Sequence, residues 1–348
     1  MMAKFSIDSK LGDLMRDPQA LAVLEAFLPG ISKDPQVKKG YGMTLKFIAG
    51  FPGSGFPKEK LPEIDKALQA IKEPESEPAE RATSPSNSVM KNPTKRLEGK
   101  VVILTGASAG LGKQISICLA REGAKLSICA RSVDKLKVTA ELCRKEGAEV
   151  LDMKCDVSEY KQLEKFVKKT VAKFGTVDVL INNANFEADR LPFLDQGLDM
   201  LDQALHTGVY AHWHLMKLCY PYMKGKPSSI INFCSGTYQV GLDLYASYAA
   251  DKGAIRALSM VVAREWGVDG IRVNTISPVA ITDTIVDKLP PEYSDWVKGM
   301  MSENAMRRVG NPAADIAPVV IFLATEESRW ITGQNINVDG GQKETIHV

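Results

Sequence analysis

No apolar run in this 348-residue chain approaches the ~20 residues a helix needs to cross a bilayer, so a membrane span is not expected. The opening residues, MMAKFSIDSKLGDLMRD, mix charge with apolar side chains and lack an apolar core before a small-residue cleavage site. They do not read as a secretory signal. The six cysteines form no CxxC pair and show no metal-site spacing. Buried, reduced thiols in a cytoplasmic protein are the expectation. Net charge is only +2 and no basic stripe appears, which argues against nucleic acid or an anionic membrane as partner. Histidine is scarce, at four residues, yet His206, His212 and His214 fall close together. Positions 212 and 214 point in different directions on a helix, and no carboxylate or cysteine completes a site. No metal is expected; packing or interface roles are.

What is present suits a soluble globular chain, with 45% hydrophobic and 25% charged residues. Composition breaks at residues 73–96, EPESEPAERATSPSNSVMKNPTKR, a stretch rich in proline, serine and charge. Such a segment buries too little to offset its ordering entropy and reads as a flexible linker. It separates a small module, residues 1–72, from a larger domain, residues 97–348. In the module, apolar residues recur at helical spacing through residues 11–28, with Asp17-Pro18 as a start signal and Pro29-Gly30 as a stop. Residues 44–48 and 61–71 add two short helices, making three in all. The SIDSKLGDL opening, the FLPG turn and the GMTL segment resemble a small helical module found at the ends of other bacterial enzymes, some glycoside hydrolases included. That resemblance implies docking or oligomerisation and names no chemistry.

From residue 97 onward, short β-rich runs alternate with helical stretches. The runs are 100–105, 125–130, 149–155, 177–182, 229–235 and 272–277. Near-continuous apolar strands separated by helices predict an α/β, doubly wound parallel sheet, Rossmann-like, with the small all-helical module appended. In such sheets ligands bind beyond the carboxyl ends of the strands, where strand order reverses.

The first run leads directly into Thr105-Gly106-Ala107-Ser108-Ala109-Gly110-Leu111-Gly112 and then a helix. Glycines permit a tight turn and close approach of backbone to a pyrophosphate, while the helix N-terminus offers N–H groups and positive dipole. Gly106, Ser108, Gly110, Leu111 and Gly112 are therefore assigned to the cofactor. After the second run, an acidic residue would hold a ribose 2′-hydroxyl and repel a 2′-phosphate. Arg131 and Ser132 stand there instead, and a guanidinium pairs with phosphate in a planar fork. NADP(H) is favoured over NAD(H).

Ser235 closes the run SSIINFCS, and thirteen residues later comes Tyr248, followed by Lys252. Four residues apart on a helix, Tyr248 and Lys252 share a face. A phenol's ordinary pKa of ~10 is too high for an efficient base near neutrality, and a nearby ammonium favours the phenolate. Tyr248 then exchanges a proton with a substrate oxygen that Ser235 orients. The predicted catalytic residues are Ser235, Tyr248 and Lys252.

With these residues in hand, residues 97 to about 341 resemble the short-chain dehydrogenase/reductase family. Further marks are Asp156-Val157, Asn182-Asn183-Ala184, the segment VNTISP at 273–278, and the closing ITGQ and VDGG segments. The resemblance implies that Asp156 and Val157 contact the adenine and that Asn183 and Ala184 lie along the ribose. It implies that Tyr248 and Lys252 also touch the nicotinamide ribose, and Thr282 the carboxamide or phosphate. It implies a homo-oligomer, dimer or tetramer, built partly from the Tyr248 helix and the histidine-bearing helix.

Three positions depart from the family pattern. Asn185 and Val279 stand where glycine is usual, and Gly208 stands where many members carry a helical asparagine that joins the proton relay. Phe186, Tyr238, Gln239 and Tyr245 are expected to line the substrate pocket, and the segment 282–308 in the family's lid region, with Pro290, Pro291, Trp296, Met300 and Met301, suggests a fairly apolar substrate. The leading expectation is interconversion of a ketone and a secondary alcohol. The departures keep two others open: a nucleotide-binding regulatory or scaffold protein with impaired turnover, and reduction of another unsaturated substrate.

Overall fold

The computed structural model describes residues 4–34, 37, 43–50, 56–72, 95–186, 189–282 and 304–342. Most of the predicted linker, and lid residues 283–303, lie outside these. The chain divides into two units, Met1–Thr83 and Ser84–Val348.

In the first unit the described residues form four helices: α1 (Leu11–Arg16), α2 (Pro18–Phe27), α3 (Leu45–Gly50) and α4 (Leu61–Gln69). The sequence suggested three, because the first apolar stretch looks continuous. It divides at Asp17, whose backbone is extended and whose carboxylate accepts from the N–H groups of Gln19 and Ala20 at 2.9 and 3.0 Å. Pro18 then occupies the first helical position, where its missing N–H costs nothing. Leu14, Leu24, Leu45, Ile64 and Leu68 are fully buried between the helices. Each such burial contributes ~1.5–3 kcal/mol, enough together to hold a small module.

The second unit is a seven-stranded parallel sheet. Its strands are β1 (Val101–Thr105), β2 (Lys125–Ala130), β3 (Val150–Lys154), β4 (Val179–Asn182), β5 (Ser228–Phe233), β6 (Ile271–Pro278) and β7 (Asn335–Val338). They lie in the order β3-β2-β1-β4-β5-β6-β7. Both faces are covered, which is why β1, β4 and β5 are buried at every position and read as unbroken apolar runs. Alternate residues serve opposite layers: Val102 and Leu104 face one cluster, Ile103 the other. On the first face lie α5 (Gly110–Arg121), α6 (Val133–Lys145) and, later in the chain, a helix over Ala317–Ala324. On the second lie α7 (Tyr160–Phe174), α9 (Ala211–Met223) and α11 (Ala246–Trp266). The shorter helices α8 (Leu198–Leu205) and α10 (Thr237–Val240) precede α9 and α11 respectively.

Two boundaries differ from the sequence reading. Arg96, the last residue assigned to the linker, pairs with Glu122 at 2.6 Å, and Leu97 donates to the Glu122 carbonyl, so ordered structure begins before residue 97. The strand carrying Ser235 ends at Phe233. Cys234 still donates to the Ile276 carbonyl at 2.7 Å, after which the chain turns into α10. No described helix is long and apolar enough to cross a membrane.

Candidate active site

Strand order reverses between β1 and β4, and a cleft of about 670 Å³ opens there beyond the strand ends. Every residue assigned above to catalysis or to the cofactor lines it, from Gly106 to Thr282.

At its floor is the turn leaving β1. Gly106 has φ +71°, and a β-carbon there would lie 2.9 Å from both the Ala184 backbone and the Asn183 amide nitrogen. A β-carbon on Gly112 would overlap the Gly106 carbonyl oxygen. Both positions therefore need glycine, and the turn stays tight. Asn183 braces it from β4: its side-chain amide donates to the carbonyls of Thr105 at 2.8 Å and Gly106 at 3.2 Å. Thr105 Oγ1 accepts from the backbone N–H groups of Asn183 and Ala184. The Asn183 side chain is thus committed to the turn, and what lines the cleft beside Ala184 is mostly backbone. The N-terminal turn of α5, from Gly110 to Gly112, lines the cleft.

Along the β2–β3 edge, Arg131 and Ser132 are exposed at the rim. The Arg131 guanidinium makes no hydrogen bond or ion pair among the described residues. The residue directly after β2 is this arginine, not an acid. Asp156 is half-buried and accepts at Oδ1 from Ser158, at 3.1 Å from its N–H and 2.7 Å from its hydroxyl, which holds the loop after β3 against the cleft. Val157 beside it is buried.

The opposite wall is the first turns of α11. Tyr248 and Lys252 lie one turn apart, with the Lys252 nitrogen 5.3 Å from the centre of the Tyr248 ring. Lys252 is only 2% exposed, whereas Tyr248 is half-buried and opens onto the cleft. Ser235 Oγ accepts from the Thr237 N–H at 3.2 Å and from its hydroxyl at 3.1 Å, leaving its own proton available to a ligand oxygen. Phenol, ammonium and hydroxyl thus share one cleft with the glycine turn, an arrangement able to hold and protonate an oxygen atom beside a bound dinucleotide.

Other expectations resolve differently. Phe186 and Tyr245 line the cleft, but Tyr238 and Gln239 do not: α10 carries them outside it. Asn185 keeps an ordinary φ, since only Leu244 and Arg307 among the described non-glycine residues are positive, so no strain arises there. Trp213 is half exposed on α9. His214 packs edge-on against Tyr160 and His206 against Tyr210, both at 4.9 Å. His212 is buried with Nδ1 2.7 Å from the Gly208 carbonyl; burial, then the Lys252 charge, push its pKa down to about 3. No group of three or more His, Cys, Asp or Glu residues fit to hold a metal occurs among the described residues. All six cysteines are free thiols, five of them buried, and burial pushes Cys143 up to about 12.

Sequence reasoning did not single out Thr237 or Arg190. Thr237 had a signal, a hydroxyl two residues beyond Ser235, where such side chains close local turns. Arg190 lines the cleft with its guanidinium 5.3 Å from the Tyr245 ring, and nothing in its spacing marks it.

Comparison with known proteins bears on the same span. A family model described as enoyl-(acyl carrier protein) reductase matches residues 106–343. A 12α-hydroxysteroid dehydrogenase from Clostridium sp. is 37% identical over 254 residues, covering 70% of this chain and 96% of that protein. A 3-oxoacyl-acyl-carrier-protein reductase from Thermotoga maritima is 32% identical over 249 residues, covering 71% and 98%. The solved structure of a short-chain alcohol dehydrogenase from Sinorhizobium meliloti superposes with a TM-score of 0.65 at 30% identity, covering 71% of this chain and 98% of that one. On the extent of these matches, with the parallel sheet and its cleft, the chain belongs to the short-chain dehydrogenase/reductase family of oxidoreductases.

Proposed function

We propose that the chain is an NADP(H)-dependent oxidoreductase interconverting a ketone and a secondary alcohol. The observation that carries this reading is the Tyr248–Lys252 pair on one face of α11, opening with Ser235 onto the cleft that holds the glycine turn.

The residues present fit a dinucleotide. Side chains at Gly106 and Gly112 would fill the cradle, and their absence leaves room for a pyrophosphate at the N-terminus of α5. Arg131 supports NADP(H) over NAD(H), because its guanidinium, without a partner among the described residues, stands at the rim directly after β2, where it would pair with a 2′-phosphate. Asp156 and Val157 hold the adenine end, Asn183 and Ala184 the ribose, and Thr282 the nicotinamide end. The bound nicotinamide supplies or accepts the hydride.

The chain's own groups manage the proton. Tyr248 donates to the carbonyl oxygen in reduction and takes the hydroxyl proton in oxidation. Lys252 stabilises the phenolate through its charge and holds the ribose. Ser235 donates to the same oxygen and fixes its direction. Phe186, Tyr245, Val279 and Ala280 are among the other residues lining the cleft and support a fairly apolar substrate. The 12α-hydroxysteroid dehydrogenase and the 3-oxoacyl reductase among its relatives agree with carbonyl chemistry.

The description of the matching family model raises enoyl reduction as a second reading. The four-residue Tyr–Lys spacing favours the carbonyl reaction. Exposed Leu198, Tyr210 and Trp213 around α8 and α9 support a homo-oligomer built on that face. Free thiols suit the cytoplasm.

The test is a screen of ketones, secondary alcohols and an enoyl thioester with the purified chain, following reduced nicotinamide by absorbance. Turnover of ketones with NADPH supports the proposal. Reduction of the enoyl thioester alone supports the second reading, and no turnover of any substrate removes both.

A further inference from the structure

Between α8 and α9 the helix widens into one π turn, His206–Tyr210. Such a turn displaces the local hydrogen-bond ladder and often marks a functional position. Gly208 lies buried within it, and a β-carbon there would collide with both carboxylate oxygens of Asp251. The carboxylate thus takes up the space that any side chain at position 208 would need.

Asp251 is itself 2% exposed. Its Oδ1 accepts from the Val209 N–H of the π turn at 2.7 Å, and its Oδ2 stands 3.5 Å from the Lys252 nitrogen. Adjacent residues on a helix point in different directions, so it is the length of the lysine stem that allows the two charged groups to approach. Two buried charges are costly unless they meet, and these do. Burial pushes the Asp251 carboxyl above its ordinary range, opposed by the Lys252 charge and the Val209 N–H.

The neighbouring groups sharpen the point. On α11 itself stand Tyr248 and Lys252. From α9 comes His212, held neutral by burial. At the end of β5 the Cys234 thiol, pushed up by burial, donates to the Lys252 carbonyl. Arg256, one turn further on, is turned to the Gly333 carbonyl. Among these groups Asp251 carries the single negative charge.

We propose that Asp251 is a positioning residue for proton transfer: its buried carboxylate, seated in the space that Gly208 leaves in the π turn, fixes the Lys252 ammonium beside Tyr248. The proposal rests on the reading of Tyr248 as the proton-transferring group. Asp251 also offsets part of the lysine charge felt by the phenol, so it sets both the rate and the pH at which Tyr248 works.

The test uses the full chain. Asp251→Asn keeps the size and the acceptor for Val209 but removes the charge. The acid limb of alcohol oxidation then moves to lower pH by about half a unit or more, and kcat falls several-fold. Tyrosinate absorbance of the cofactor-free protein, taken as the difference between each variant and its Tyr248→Phe counterpart, moves the same way and needs no turnover. An unchanged profile and an unchanged tyrosinate midpoint overturn the proposal. Because Asp251→Asn also perturbs a buried pair, a reciprocal exchange provides a second arm. Gly208→Asn alone loses about tenfold or more in kcat; adding Asp251→Ser relieves the clash but removes the carboxylate, so the double variant keeps the acid limb and the tyrosinate midpoint shifted as in Asp251→Asn. A double variant with the parent's acid limb and tyrosinate midpoint overturns it too. A chain that turns over nothing yet shows the tyrosinate shift keeps the positioning role and sinks the functional reading. Ketone turnover that depends on Tyr248 but ignores Asp251 does the reverse.

Discussion

The Asn185 side-chain nitrogen stands 3.5 Å from the Tyr248 hydroxyl. The position is exposed, its backbone is unstrained, and the separation is long for a hydrogen bond. Asn185 therefore neither blocks nor drives the proton transfer. Asn185→Gly is expected to leave kcat/KM within about threefold of the parent, since long, exposed contacts contribute little. Steady-state kinetics check this, and a tenfold change would make Asn185 part of the chemistry.

The proposed preference for NADP(H) rests on one exposed guanidinium. Replacing Arg131 by alanine removes the group suited to a 2′-phosphate and leaves the glycine turn untouched. The KM for NADPH is expected to rise about 10- to 100-fold, the equivalent of a charged hydrogen bond, while that for NADH stays nearly constant. Equal loss with both cofactors would place Arg131 in the scaffold.

His212 gives the unit a pH-dependent stability. Its pKa is about 3 when folded, held down by burial and then by Lys252, against ~6.5 when unfolded. The unfolded chain therefore binds a proton that the folded chain refuses. The stability is fully present above pH ~6.5 and is lost as pH falls toward 3. Between pH 6.5 and 4.5 the loss amounts to on the order of 2–3 kcal/mol. Melting curves of the parent and of His212→Leu are expected to converge as pH falls through this window. Parallel curves would mean that His212 is charged or solvated in the fold.

Much of this was legible in the sequence because the signals are local. Strands buried on both faces must be apolar throughout, and Gly106, Gly110 and Gly112 are demanded by backbone geometry at a strand–helix turn. Tyr248 and Lys252 meet through helical spacing alone. What was not legible depends on separate elements coming together. Gly208 read as a missing asparagine, and only the approach of α11 to the π turn reveals the carboxylate that occupies its space. A π turn adds a residue without a periodic signature, so nothing in the sequence marked the widening between α8 and α9. Asp17-Pro18 was read as the start of a helix, yet the helix it also ends was missed. Asn183 shows the same limit: its position at the cleft followed from resemblance, but its commitment to the Thr105 and Gly106 carbonyls did not.

The most direct measurement is ketone reduction by Tyr248→Phe, with NADPH affinity determined in parallel by fluorescence. Removing one hydroxyl is predicted to lower kcat by roughly 10²–10⁴-fold while NADPH affinity changes less than about threefold, since only the proton donor is lost. Full turnover by the variant would contradict the account, because another group would then be supplying the proton.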